Sequence, residues 1–309
     1  MRRSGHRALP ILLLLAGCAA AAPAPGPAPT AAAPPERAPA APPPPPQLPS
    51  GVIELSGSAV QGGLLRGRAP AGTRFLSLSG EPVPLAADGR FILGFDRDHG
   101  PAATLVAERE DGSSVRREVA VAPRSWRIEH IDVAQRPSGS TAEFLRMREG
   151  ELARIAAARA VRSGSEGWRQ PLAWPATGRI SGVFGSQRVY RGTPGSFHSG
   201  VDVAAGAGAE VRAPADGVVV LAGPPAFSLE GNLVIVDHGM GLNSAFLHLA
   251  SVAVREGERV RQGQRIGAVG ATGRATGPHL HWSMKWQGAR IDPQALAGPM
   301  GAGAGGTGR

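Results

Sequence analysis

Hydrophobic and polar residues between Gly51 and Arg124 alternate in short runs. Val52-Ile53-Glu54-Leu55, Arg74-Phe75-Leu76-Ser77-Leu78, Arg90-Phe91-Ile92-Leu93 and Ser114-Val115-Arg116-Arg117-Glu118-Val119 read as strands. Between them stand Ser79-Gly80, Asp88-Gly89 and Asp111-Gly112, pairs whose glycine reaches turn conformations at no steric cost. Short strands with turn signals at this density predict a small antiparallel β-sandwich over 51–124. From Thr141 to Arg162 the register changes, and Phe144, Leu145, Met147, Leu152, Ile155 and Ala156 fall at helical spacing among Glu and Arg. Gly150 interrupts that stripe, which points to two turns followed by a longer helix. The expected role of 125–173 is a helical connector packed on one domain; a hydrophobic flap over a cleft is the competing reading. Beyond Trp174, Gly217–Ala222, Asn232–Val236 and Arg265–Val269 are strand-like and separated by Gly-containing turns. Strand and turn without long helical stretches predict an antiparallel all-β domain over 174–296, followed by a Gly-rich disordered tail, 297–309. The expected fold class is mainly β.

Composition changes the picture at the N-terminus. The chain has 309 residues, with 44 Gly and 29 Pro, and the prolines crowd near the start. Residues 19–50 are almost entirely Ala and Pro, a composition that buries no core and favours extended polyproline conformations. About 30 such residues at ~3.1 Å each reach roughly 90 Å. Ahead of them Arg2, Arg3 and Arg7 precede an apolar run from Leu9 to Leu15, too short to span a bilayer and laid out as an export signal over 1–17. Leu15-Ala16-Gly17-Cys18 then resembles the lipobox of bacterial lipoproteins, which implies that Cys18 is lipidated and that 18–50 is a tether. Several acyl chains on one residue would anchor the protein durably to a membrane. Ala19 rather than Asp after the cysteine points to the outer membrane of a Gram-negative periplasm.

The formal charge is +9, and Lys285 is the only lysine. An Arg-rich, Lys-poor chain rich in Ala, Gly and Pro is what a GC-rich genome encodes; attraction to an anionic polymer or membrane surface is the functional reading. No segment interleaves basic and aromatic residues, so no nucleic-acid partner is expected. The single cysteine excludes an internal disulfide framework and a Cys-based zinc site. No Gly-x-Ser-x-Gly elbow supports a serine hydrolase.

The candidate chemistry lies in the last third. His198 and Asp202 stand in Phe197-His198-Ser199-Gly200-Val201-Asp202, His248 in Phe246-Leu247-His248-Leu249, and His279-Leu280-His281 follows Gly277-Pro278. Two imidazoles and one carboxylate are the usual protein ligands of a catalytic zinc, and two further histidines suit proton transfer beside it. In a strand His279 and His281 would project to one face, with Leu280 pointing away into packing. The step from His198 to Asp202 fits a shared site less decisively, on a helix or across a turn. Spacing leaves open which of His279 and His281 binds metal. His99 and His130 stand alone and read as surface histidines.

His-x-x-x-Asp, then a His near an aromatic, then His-x-His resembles the M23 family of zinc metallopeptidases, the lysostaphin-type or LytM-type endopeptidases. Gly178–Gly185, Ala213-Pro214-Ala215-Asp216-Gly217, Asp237-His238-Gly239 and Gly273–Trp282 extend the similarity over 174–296. The resemblance implies that His198, Asp202 and His281 are zinc ligands and that His248 and His279 are catalytic. His238 has no family role in catalysis and reads as structural. Phe246 stands where the family often has Tyr, so a phenol hydroxyl is absent there. The implied substrate is peptidoglycan, cut in its cross-links or stem peptides. The alternative is a non-catalytic LytM-type regulator that activates separate cell-wall amidases, with such an enzyme as partner. All five metal and catalytic positions are filled, which favours the enzyme.

Overall fold

The structure is a computed structural model and describes residues 51–134 and 141–301. The export segment, Cys18, the Ala/Pro tether and the tail from Ala302 onward lie outside the described residues. No helix among the described residues is long and apolar enough to cross a membrane.

The first part of the fold consists of seven strands. They are β1 (Glu54–Ser56), β2 (Leu64–Arg68), β3 (Thr73–Leu78), β4 (Glu81–Pro82), β5 (Arg90–Gly94), β6 (Ala102–Arg109) and β7 (Ser114–Ala120). Two antiparallel sheets result, ordered β1-β2-β5 and β4-β3-β6-β7, as the strand and turn pattern predicts for a sandwich. Gly80, Gly89 and Gly112 occupy the expected turns with positive φ. Three strands escape the sequence reading, the two-residue β4 among them. In β6 the inward positions are Ala103, Leu105 and Ala107, so small side chains mute the alternation. In β2 Arg66 and Gly67 break the apolar run. Phe91, Ile92 and Leu93 are all buried, because β5 also lies against the C-terminal part of the chain.

The connector holds more than a helix. β8 (Ile128–Ile131) comes first, then α1 (Ala142–Ala160), then a 3-10 turn at Gly167–Arg169 that buries Trp168. α1 is one continuous helix, which corrects the expected break at Gly150. Its start is capped by the Thr141 hydroxyl, which accepts the Phe144 N–H at 3.1 Å. A glycine inside a helix costs about 1 kcal/mol relative to alanine, and side chains on both sides of Gly150 are tied to a neighbouring loop, which offsets it.

The remaining strands are β9 (Arg179–Gly182), β10 (Gln187–Tyr190), β11 (Thr193–Pro194), β12 (Val201–Ala204), β13 (Glu210–Arg212), β14 (Gly217–Leu221), β15 (Asn232–Gly239) and β16 (Leu242–Leu249). After these come β17 (Ser251–Val252), β18 (Arg259–Val260), β19 (Arg265–Ala268), β20 (Leu280–Trp286), β21 (Ala289–Ile291) and the short α2 (Pro293–Ala297). The main antiparallel sheet runs β18-β14-β15-β16-β20-β12-β9, with β21 on β20. Two three-stranded ribbons, β11-β10-β8 and β13-β19-β17, complete it, and β8 pairs with β10 in parallel. β16 is nearly all buried yet carries Asn243 and Ser244, which hide its strand character in the sequence. Both polar groups are satisfied: Asn243 Oδ1 accepts from Arg159 of α1 at 2.5 Å, and Ser244 Oγ bonds His238 Nε2 at 2.9 Å. Buried residues of the N-terminal sheets and of the main sheet form one continuous cluster, from Phe91 and Leu105 to Phe246 and Trp282. A second cluster seats Ala158 of α1 on Leu221, Phe227, Leu233, Ile235 and Ala245.

Candidate metal centre

The central strands bring the five singled-out residues together. In β12 Asp202 pairs with His281 of β20, so two ligand candidates share one rung of the sheet. His198 reaches the same point from the turn before β12. Its Nε2 lies 3.0 Å from Asp202 Oδ1 and 3.1 Å from His281 Nδ1, and His281 Nδ1 lies 2.8 Å from the same carboxylate oxygen. A tetrahedral ion with bonds of about 2.0–2.1 Å holds its ligand atoms roughly 3.3 Å apart, so this triangle fits a zinc-sized cation after a few tenths of an ångström of expansion. His279 Nε2 is farther out, 3.8 Å from Asp202 Oδ1. Leu280 between the two histidines is fully buried, as the strand alternation predicts.

Tautomers follow from the partners. A carbonyl oxygen only accepts, so each ring nitrogen facing one carries the proton. His198 Nδ1–H therefore donates to the Val183 carbonyl at 3.1 Å and leaves Nε2 bare toward the cluster. The same holds for His248, whose Nδ1–H donates to Thr272 O, and His279, whose Nδ1–H donates to Gly277 O, both at 2.8 Å. The rings of His248 and His279 lie 5.0 Å apart, with their Nε2 atoms free of carbonyl partners. Carbonyl contacts of this kind fix ring orientation beside a metal site.

Burial and charge set the protonation states. Burial by itself would raise the Asp202 pKa, yet the imidazoles of His198 and His281 against it hold the carboxyl well below the usual range. Burial works against the His198 cation too, but Asp202 outweighs it and raises the pKa. Burial lowers the pKa of His281 and His248, keeping both imidazoles neutral near pH 7. A carboxylate and unprotonated imidazole nitrogens are the forms that ligate a metal.

Two glycines make room for the cluster. A Cβ on Gly182 would stand 2.4 Å from Asp202 Oδ2, and one on Gly200 would stand 2.4 Å from the Trp282 carbonyl and 2.8 Å from His281 Nε2. His248 owes its direction to a bulge. Asn232 pairs with Leu249 and Val234 with Phe246, so β16 carries one residue more than β15 there. His248 takes φ +63°, a left-handed conformation that costs a non-glycine residue about 1–3 kcal/mol.

His198 and Asp202 line a cleft of about 790 Å³ whose walls include Arg127, Glu129, Arg188, Tyr190 and Arg274. Arg127 comes from the segment beside β8, so the connector supplies part of one wall. Phe246 is fully buried in the core and faces Trp282 across the sheet, so its ring serves packing. His238 is also buried, away from the cluster, donating to Asp216 O and bonded to Ser244, in line with a structural role. His130 is exposed on β8, and His99 stacks edge-on against Phe95. The carbonyls of Val183, Thr272 and Gly277 escaped the sequence reading because a backbone acceptor has no residue signature. Arg127 and Arg274 were missed for another reason: they are two arginines among many.

With this geometry in view, comparisons with known proteins are specific. Residues 196–293 match the profile described as Peptidase family M23. A solved peptidase M23 structure from Pseudomonas aeruginosa is 30% identical and superposes with a TM-score of 0.59, covering 78% of this chain and 95% of that one. The DD-carboxypeptidase/endopeptidase Mpg of Neisseria meningitidis serogroup B is 41% identical over 125 residues, and the peptidoglycan DD-endopeptidase ShyA of Vibrio cholerae is 37% identical over 123. Those matches take in 39% and 40% of this chain but only 27% and 28% of the two curated relatives. The chain belongs to peptidase family M23.

Proposed function

We propose that this protein is a zinc-dependent endopeptidase that hydrolyses peptide bonds in peptidoglycan cross-links or stem peptides. The observation that carries the reading is the convergence of His198 Nε2, Asp202 Oδ1 and His281 Nδ1 within 3.1 Å of one another. Zinc, when bound, supplies a Lewis acid that polarises the scissile carbonyl and acidifies water. The chain's own groups do the rest. His248, which burial keeps neutral, and His279 each turn Nδ1 to a carbonyl and leave Nε2 for the substrate side, suited to taking a proton from the attacking water, stabilising the tetrahedral oxyanion once protonated and returning a proton to the leaving amine. The open cleft accepts an extended peptide, and the guanidinium groups of Arg127 and Arg274 among its lining favour substrates carrying carboxylates. Peptidoglycan as substrate is supported by the name of the 37%-identical relative from Vibrio cholerae.

The test uses the purified chain from Gly51, defined peptidoglycan fragments and mass spectrometry of the products, with zinc measured by elemental analysis. His281→Ala is expected to lose zinc and activity together, and His279→Ala to lose activity while keeping most of its metal. Zinc loss confined to His279→Ala would reverse the assignment within the pair. A fully metallated protein that cuts nothing but stimulates a cell-wall amidase would establish the regulator instead.

The reading extends to location. Cys18 is proposed to carry lipid and to hold the protein on the periplasmic side of the outer membrane, with 19–50 as the reach toward the wall. Cys18→Ser is expected to release the protein from membranes or block its maturation. Unchanged detergent-dependent association in membrane fractionation would overturn this.

A further inference from the structure

Helix α1 lies away from the cleft, and its polar side chains converge on the loop between β14 and β15. Arg148 grips Glu230 with two parallel hydrogen bonds of 2.6 Å, a fork geometry that fixes direction as well as distance. Its Nη1 also donates to Glu151 at 2.8 Å, and Glu151 in turn accepts the Ser228 N–H and hydroxyl, each at 2.6 Å. Arg154 caps the Phe227 ring at 4.7 Å. All three helix residues therefore bind one stretch of four residues, Phe227–Glu230.

That stretch is the backing of His248. The Glu230 carbonyl accepts the His248 backbone N–H at 2.8 Å. Two residues on, Asn232 N–H donates to the Thr272 hydroxyl at 2.9 Å, and the Thr272 carbonyl accepts Nδ1–H of the His248 ring. Leu229 O accepts the Arg274 N–H at 2.9 Å, closing the loop onto the segment that carries Thr272. His248 thus has both its backbone and its ring held by groups that this loop anchors, in the left-handed conformation that the bulge gives it.

We infer that α1 is a brace for the active cleft: Arg148 and Glu230 are positioning residues that hold the Phe227–Glu230 loop, and through it the His248 imidazole, in working orientation. This rests on the proposed catalytic role of His248. The brace comes from outside the strands and turns that carry the five site residues, so detachment of α1 would disable His248 without touching a metal ligand.

The experiment uses the chain from Gly51 with Arg148→Gln, Glu230→Gln and the charge-swapped double variant Arg148→Glu/Glu230→Arg. His248→Ala is the control. Zinc content, kcat and KM on a peptidoglycan peptide, and amide hydrogen exchange at residues 227–232 and 248 are measured in each. Displacing a reacting group by about 1 Å can cost on the order of 100-fold in rate. Both single variants are expected to lose about 10-fold or more in kcat, with KM and zinc within about twofold. Exchange at 228–232 and 248 should rise, and the swap should recover part of both losses. Unchanged kcat and unchanged exchange in the single variants would overturn the brace, and so would a loss accompanied by zinc release or by faster exchange throughout the fold. Should His248→Ala retain full turnover, it is the catalytic reading that fails, while the exchange at 248 still decides the brace.

Discussion

At the scale of single residues, the site depends on small groups as much as on its candidate ligands. Gly182 lies against the Asp202 carboxylate with no space for a methyl group. Gly182→Ala should push that carboxylate out of the triangle and weaken zinc binding by about 10–100-fold, the usual cost of disturbing a ligand's support. Chelator competition on folded protein checks this, and unchanged affinity would refute it. His238 yields a different prediction. It is fully buried, and burial lowers its pKa below the unfolded value near 6.5. The unfolded chain then binds the extra proton, so this histidine contributes stability above about pH 6.5 that is lost as pH falls through its depressed folded pKa. In zinc-saturated protein the urea midpoint should fall with pH below about 6.5, and less steeply in His238→Gln. Equal slopes in the two proteins would assign the pH dependence elsewhere.

At the scale of elements, α1 combines a small apolar seat with a strong polar grip. Only Ala158 is buried on it, while Leu145, Met147 and Leu152 remain exposed, so its place is set mainly by Arg148, Glu151, Arg154 and Arg159. The apolar stripe that suggested a flap therefore faces solvent over much of its length. The sheet side of the seat is Phe227, which is 2% exposed and packs on Leu221, Leu233 and Ile235. Phe227→Ala should cost about 3–5 kcal/mol by opening a cavity there. Chemical denaturation with an unchanged m-value is the measurement, and a cost under about 1 kcal/mol would mean the loop collapses to fill the space.

At the scale of the whole molecule, the N-terminal elements are built into the peptidase sheet. Arg97, 5% exposed, donates to Gly185 O at 3.0 Å and to Gln187 Oε1 at 3.0 Å, and lies over the rings of Trp126 and Phe197. Phe197 precedes His198, so the loop after β5 steadies the metal-side turn while α1 steadies the His248 side. Arg124 adds an ion pair to Asp292, the N-cap of α2. A flap would make a chain lacking the helix the faster enzyme. With supports on both sides of the cleft the opposite is expected: a chain beginning at Ser163 should have a lower Tm and slower turnover than one beginning at Gly51, at matched zinc. Faster cleavage by the shorter chain would restore the flap.

Much of this protein is written in local sequence. The turn pairs at 79–80, 88–89 and 111–112, several alternating runs, and the set His198, Asp202, His248, His279 and His281 were legible because they depend on φ preferences, on strand period and on side-chain chemistry, which travel with the residue. What stayed hidden depends on neighbours distant in the chain. Strand β16 reads as polar until Arg159 and His238 are seen to satisfy Asn243 and Ser244. The helix break expected at Gly150 is overridden by a loop some eighty residues away. The choice of His281 over His279 for the inner position is made by the pairing of β12 with β20. The left-handed turn at His248 comes from one extra residue opposite β15. Sequence thus determined which groups are available, and the tertiary structure decided which atoms of them face one another, because a distance between strands is set only when the sheet closes.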